Sequence, residues 1–158
     1  MGTPARTNIL LEIKTALESI TVANGYNSEV VTVEPVLRSR DDVLNGERPY
    51  LGFGPGVEPL EHFCTKDIRV EMPVTIVGYL YEPSDWTTRS AALNLLIDDM
   101  IAALQDDRTL NSNAISLYIV NAQTDEADPD AGASAGDPSG GTIVMNIKVI
   151  YERTINAS

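Results

Sequence analysis

The chain has 158 residues, 43% apolar and 22% charged, and its 23 acids against 11 bases leave a formal net charge of −12. That sign repels nucleic-acid phosphates and anionic membranes. A single cysteine, Cys64, and a single histidine, His62, exclude an internal disulfide, a cysteine-rich zinc site and a multi-histidine metal centre. Length and composition suit one soluble domain over residues 1–158 with an ordinary apolar core. The polar start and the lack of any long apolar run lead us to expect neither a signal peptide nor a membrane span.

Ile9, Leu10, Ile13, Leu17 and Ile20 recur at spacings of three and four and predict a first helix over 8–20. Thr7 or Asn8 is its expected cap and Asn24-Gly25 its exit. Alternation over 28–37 predicts a strand whose end, limited by Pro35, lies near a sheet edge. From Arg38 to Lys66 glycines and prolines punctuate a long connection, with a short strand expected at 49–53. Residues 67–81 alternate most clearly: Ile68, Val70, Met72, Val74 and Ile76 share one face. Pro73 cannot donate to a ladder, so this strand is expected at an edge or bulged there.

Leu93, Leu96, Ile97, Met100, Ile101 and Leu104 predict a second helix over 86–105, capped by Asp85, Thr87 or Thr88, with Asp98 and Asp99 on its outer surface. Asp106 and Asp107 fall at its C-terminal end, where the helix dipole disfavours acids, so compensation by Arg108 or a neighbouring subunit is expected. Strands follow at 115–122 and 142–153, most simply as antiparallel neighbours. Between them, 123–141 holds five acids and no base and is expected to be a mobile acidic loop, an insertion to the core. The predicted fold class is α+β: a mainly antiparallel sheet of four to five strands with both helices on one face.

Motifs of chemistry are weak. Gly52-Phe53-Gly54-Pro55-Gly56 lacks the lysine and hydroxyl of a phosphate loop and reads as a shaped surface turn. His62 and Cys64 lack the further ligands zinc needs and read as a surface imidazole and a partly buried thiol. The acids from Asp125 to Asp130 miss the glycine and glutamate spacing of a calcium loop. No catalytic residue, cofactor site or metal site is expected. Tyr50, Phe53 and Trp86 lie where no core face obviously claims them and are candidate interface anchors.

Several segments resemble the tail terminator (tail completion) proteins of tailed bacteriophages: Ile9-Leu10-Leu11-Glu12-Ile13-Lys14-Thr15-Ala16-Leu17, then Ile20-Thr21-Val22-Ala23-Asn24-Gly25-Tyr26, the strand Val74-Thr75-Ile76-Val77-Gly78-Tyr79, and Arg89 through Asp99. The order of elements over nearly the whole chain is similar to the family's helix-strands-helix-strands domain. The resemblance implies a non-enzymatic virion protein, assembled in the host cytoplasm, that forms a ring, usually hexameric. The ring caps the head-proximal end of the tail tube, stops its growth and joins the tube protein to the neck or connector. DNA passes through its bore without specific binding.

Like-charged subunits repel, so assembly is expected to use apolar or sheet-edge contacts or the few bases. Arg38, Arg40 and Arg48 cluster in the long connection, whereas Asp106, Asp107, Asp125 and Asp128 mark acidic regions. Head-to-tail pairing of a basic region with a neighbour's acidic one would suit a closed ring. Two other readings remain open: a different neck or head–tail joining protein, and a small hydrolase or ligand-binding domain using His62 and Cys64.

Overall fold

A computed structural model describes residues 5–39, 42–56, 60–62, 67–82, 85–126 and 140–154. Two helices, α1 (Ala5–Glu18) and α2 (Trp86–Asp106), accompany six strands: β1 (Thr32–Glu34), β2 (Tyr50–Pro55), β3 (Leu60–His62), β4 (Asp67–Tyr81), β5 (Ser116–Glu126) and β6 (Gly140–Thr154). The strands form one sheet in the order β1-β2-β4-β6-β5, with β3 beside the first residues of β4. Every pairing is antiparallel except β1 with β2. The expected α+β class is found, and β3 adds a strand to the four or five expected.

Alternation builds the core. Val70, Met72, Val74 and Ile76 of β4 and Ile143, Met145, Ile147, Val149 and Tyr151 of β6 are buried on one face. Ile9, Ile13 and Leu17 of α1 and Leu93, Leu96, Met100 and Leu104 of α2 pack onto the same cluster, so both helices lie on that face. α1 sits toward β1, and α2 covers β5 and β6.

Pro73 is not at an edge. β4 lies between β2 and β6, and its register with β6 runs without a break from Asp67↔Thr154 to Tyr81↔Gly140. Opposite residues in antiparallel ladders alternately exchange two bonds and none. Pro73 accepts from Gly56 N–H at 2.7 Å on the β2 side, so its missing donor faces that side, just where the β2 pairing ends. Toward β6 it occupies a position that needs no donor. The sheet's bulge falls instead in β5, between Ile119 and Asn121.

Other boundaries move for local reasons. α1 begins at Ala5, placing Thr7 and Asn8 inside it, and ends at Glu18. Gly25 closes the following 3-10 turn, Val22–Asn24, at φ 93°. The strand expected over 28–37 narrows to β1, an edge strand as expected, stopped by Pro35. The long connection after it exists because β1 and β2 are parallel, and a parallel pair needs a crossover of roughly a dozen residues. The glycine-rich segment 52–56 belongs largely to β2 and is no surface turn. β5 and β6 extend into the acidic segment: Gln123 pairs with Val144 and Glu126 with Gly141, so 123–126, 140 and 141 are ladder rather than loop. The remainder of that segment, 127–139, lies outside the described residues.

The acids of α2 are used locally. Asp85 caps the helix by accepting from Thr88 N–H at 2.8 Å. Asp99, expected on the outer surface, is 3% exposed. It accepts from Asn27 N–H at 3.2 Å, Asn27 Nδ2 at 3.1 Å and Ser28 N–H at 2.7 Å, tying the exit of α1 to α2. Asp107 takes Thr109 N–H at 3.0 Å, Thr109 Oγ1 at 2.6 Å and Asn111 N–H at 2.7 Å. It thereby holds the left-handed run of Leu110, Asn111 and Ser112, at φ 49°, 58° and 65°. These donors offset the charge of Asp107 within the chain.

Asp99→Ala strands buried amides and is expected to destabilise the fold by about 2–3 kcal/mol. Denaturant unfolding with an unchanged m-value is the check.

Candidate functional site

The face of the sheet opposite the helices is covered at one end by the crossover between β1 and β2. Tyr50 of β2 and Tyr79 of β4 lie opposite each other in the ladder. Their rings stack at 5.6 Å with an interplanar angle of 13°. Val43 closes over them and Val77 packs alongside. Tyr79 Oη donates to the Arg38 carbonyl at 2.6 Å. Tyr50 Oη lies 3.1 Å from Glu34 Oε2 and 3.0 Å from the Val36 carbonyl.

Arg38 locks this arrangement. Its guanidinium stands 4.9 Å above the Tyr50 ring and grips Glu34 through Nε and Nη2, both at 2.9 Å. Glu47 approaches the same group at 3.4 Å and the Asp42 carbonyl at 3.2 Å. Paired bonds to a planar fork and stacking on an aromatic face suit arginine and not lysine. Tyr50 first, then the Glu34 and Glu47 carboxylates, raise the guanidinium above its ordinary value. Leu44 N–H, donating to Glu47 at 2.9 Å, and then Arg38 hold the Glu47 carboxyl below the usual carboxylate range. Burial pushes the Tyr50 hydroxyl up.

Gly52 makes the approach possible. A β-carbon there would lie 2.4 Å from the Val36 carbonyl oxygen and 2.6 Å from Tyr50 Oη, closer than any real contact. The clasp thus fixes a segment that presents Val36, Leu37 and Leu44 to solvent, each at least half exposed. Further along the same face, Thr75 Oγ1 donates to Asn146 Oδ1 at 3.0 Å, and Asn146 Nδ2 donates to Asn121 Oδ1 at 2.8 Å. Lys148 pairs with Glu71 at 3.6 Å beside them. These bonds make this part of the face a polar network that fixes one strand against the next.

The residues expected at an interface separate into groups. Tyr50 and Phe53 are fully buried, Tyr50 under the crossover and Phe53 in the main core. Their alternation was hidden by Gly52 and Gly54, which have no side chain to signal a face. Arg48 is 8% exposed and donates to the Val43 carbonyl at 3.2 Å, and Arg38 is engaged by its own chain's acids. Asp106 and Asp107 are exposed, Asp107 with its carboxylate engaged in the turn just described. Arg40, Asp128 and Cys64 lie outside the described residues, and for His62, Trp86 and Asp125 the backbone alone is described. Sequence reasoning missed Glu34, Glu47 and Tyr79 as Arg38's partners. The one signal was the closeness of Glu34 and Glu47 to Arg38 in the chain.

Among the described residues no group of three or more His, Cys, Asp or Glu is placed to hold a metal ion, and no described helix is long and apolar enough to cross a membrane. No protein-family model and no curated protein matches the chain. Among solved structures, a chain of the virion of a native gene transfer agent particle is similar in shape at a TM-score of 0.46 and 7% identity, covering 96% of this chain and 100% of that one.

Gly52→Ala is expected to lift the crossover and cost about 1–3 kcal/mol, checked by denaturant unfolding together with loss of the Tyr50–Tyr79 near-ultraviolet signal. The pH dependence has two limbs. Glu47, Asp85 and Asp107 have lowered carboxyl values, so their contribution is complete above the ordinary carboxylate range and is lost as pH falls below about 4. Tyr50 is raised, so its contribution is complete below a tyrosine's ordinary value and is lost as pH rises beyond about 10. Thermal midpoints across pH are expected to show both declines, with Tyr50→Phe flattening the alkaline one.

Proposed function

We propose that the chain is a structural virion protein of a tailed phage or phage-like particle, and specifically a tail terminator whose ring caps the tail tube and meets the neck. The observation that carries this reading is where the family-like segments fall in the fold. Ile9–Leu17 lies within α1, Val74–Tyr79 in the second half of β4, and Arg89–Asp99 in the central part of α2. They supply the packing joints: Ile9, Ile13 and Leu17 against the sheet, Val74 and Ile76 beneath them, Leu93 and Leu96 across. Asp99, the last residue of the α2 segment, binds the backbone immediately after Tyr26, where the helix-exit segment ends. Segments that resemble one family in sequence therefore hold one another in space, in the order that family's domain implies.

The chemistry of the described surface supports a structural role over a catalytic one. Glu29, Glu47, Asp85, Asp99 and Asp107 are engaged in positioning loops and helix ends, and the Arg38 cluster spends its donors on its own chain. In a hexamer the formal charge of −12 is repeated six times, so any acids facing a bore would keep a DNA backbone from adhering. The basic-to-acidic subunit contact expected from Arg38 and Arg48 is not part of this proposal. Apolar contacts by Val36, Leu37 and Leu44 on the clasped crossover fit an interface between ring subunits better.

The mass of the purified chain in solution and its position on purified tails test the reading. The expected result is a ring, predominantly six-fold, that labels only the head-proximal end of the tube. A stable monomer absent from tails would overturn it.

A further inference from the structure

The two edges of the sheet are built differently. At one edge β1 is three residues long and stopped by Pro35, which blunts it against further pairing. At the other edge β5 runs for 11 residues, Ser116–Glu126, and contains no proline, lysine or arginine. One bulge interrupts it, and beyond that the register with β6 is regular from Asn121 to Glu126. Among the described residues no strand pairs with its outer side. Ile115, Tyr118 and Val120, at 50%, 49% and 57% exposure, add apolar surface at this edge.

The direction of the free backbone groups follows from Pro73. Because Pro73 bonds toward β2, Lys148 opposite it bonds toward β5, and so do Asn146, Val144 and Thr142. The residues of β5 paired with the intervening positions therefore turn their N–H groups outward. Thr124, opposite Ile143 and exposed, is one of them.

We propose that this outer edge of β5 receives an extended, basic segment of a different protein as an added strand. Main-chain bonds would supply the pairing, and cross-strand contacts would cover Tyr118 and Val120. Charge selects the occupant. The strand ends in Asp125-Glu126 and carries no base, within a chain of net charge −12. A second copy would bring like charge, and its own edge at β1 is only three residues long. A partner with β-branched or aromatic residues along its length and lysine or arginine beside Asp125 and Glu126 meets both features. The inference stands on the sheet edges alone, whether or not the chain forms a ring.

The probe is a labelled peptide of alternating threonine and valine, long enough to span Ser116–Glu126 and ending in lysines. Its counterpart ends in glutamates. Anisotropy titration against the full chain is expected to give saturable binding of the lysine peptide, about tenfold tighter than the glutamate one. Thr124→Pro, which removes an outward N–H and no ladder bond, is expected to weaken it by at least about tenfold with an unchanged circular dichroism spectrum. The Asp125→Lys, Glu126→Lys double variant keeps the edge and should reverse the preference between the peptides. No saturable binding, binding insensitive to Thr124→Pro in the folded variant, or a peptide preference unmoved by the double variant would each overturn the proposal. A dimer in sedimentation that Thr124→Pro abolishes would overturn it in favour of a second copy.

Discussion

The 15-residue pairing of β4 with β6 is the constraint on which the remaining structure depends. An unbroken antiparallel register fixes, position by position, which side chains face the helices and which face away, because a slip of one residue would exchange the two sets. Val74 and Ile147 lie opposite each other beneath the helices, and the pair Thr75 and Asn146 lies on the other side. A proline inside such a ladder is tolerated only where its missing donor faces a gap, and Pro73 meets that condition because β2 stops pairing there. Moved by one residue, it would interrupt the bond to β6 and with it the register that separates the two faces.

From this register the two faces acquire different covers. Apolar burial by α1 and α2 needs no directional contacts beyond caps and the Asp99 tie, since the hydrophobic contribution follows buried area. The opposite face is partly polar, and the crossover that lies on it has few apolar residues to bury. It is held by directional bonds instead: a fork on two carboxylates, a cation over a ring and two tyrosine hydroxyls on backbone carbonyls. Side-chain hydrogen bonds give a loop one position where apolar contact alone would leave several, and this accounts for a segment that keeps Leu37 and Leu44 in solvent without collapsing onto them.

The legible part of the fold in the sequence was the part governed by one period over many residues. α2, β4 and β6 announce themselves by repeats at 3.6 or 2, and Asp85 precedes its helix where a cap belongs. The illegible part depends on partners distant in sequence or on residues without a signal. Asp99 looked like half of an exposed acidic pair, although its place three residues after Leu96 and four before Ala103 puts it on the buried stripe. Tyr50 and Phe53 looked unclaimed because glycines separate them. Arg38 looked like an available base because the two acids that occupy it, Glu34 and Glu47, lie in a short edge strand and in the irregular crossover, where no helical or strand period signals the pairing. β3 is too short for any alternation to show.

The charge that dominates the composition takes a different meaning once its carboxylates are located. Glu29 accepts from Val22 N–H, Glu47 from Leu44, Asp85 from Thr88, Asp99 from Asn27 and Ser28, and Asp107 from Thr109 and Asn111. These acids close turns and cap chain ends that the ladders leave unsatisfied. Part of the surplus of acids over bases is therefore a folding device. A carboxylate can accept several amide donors at once, whereas a lysine in the same place could accept none.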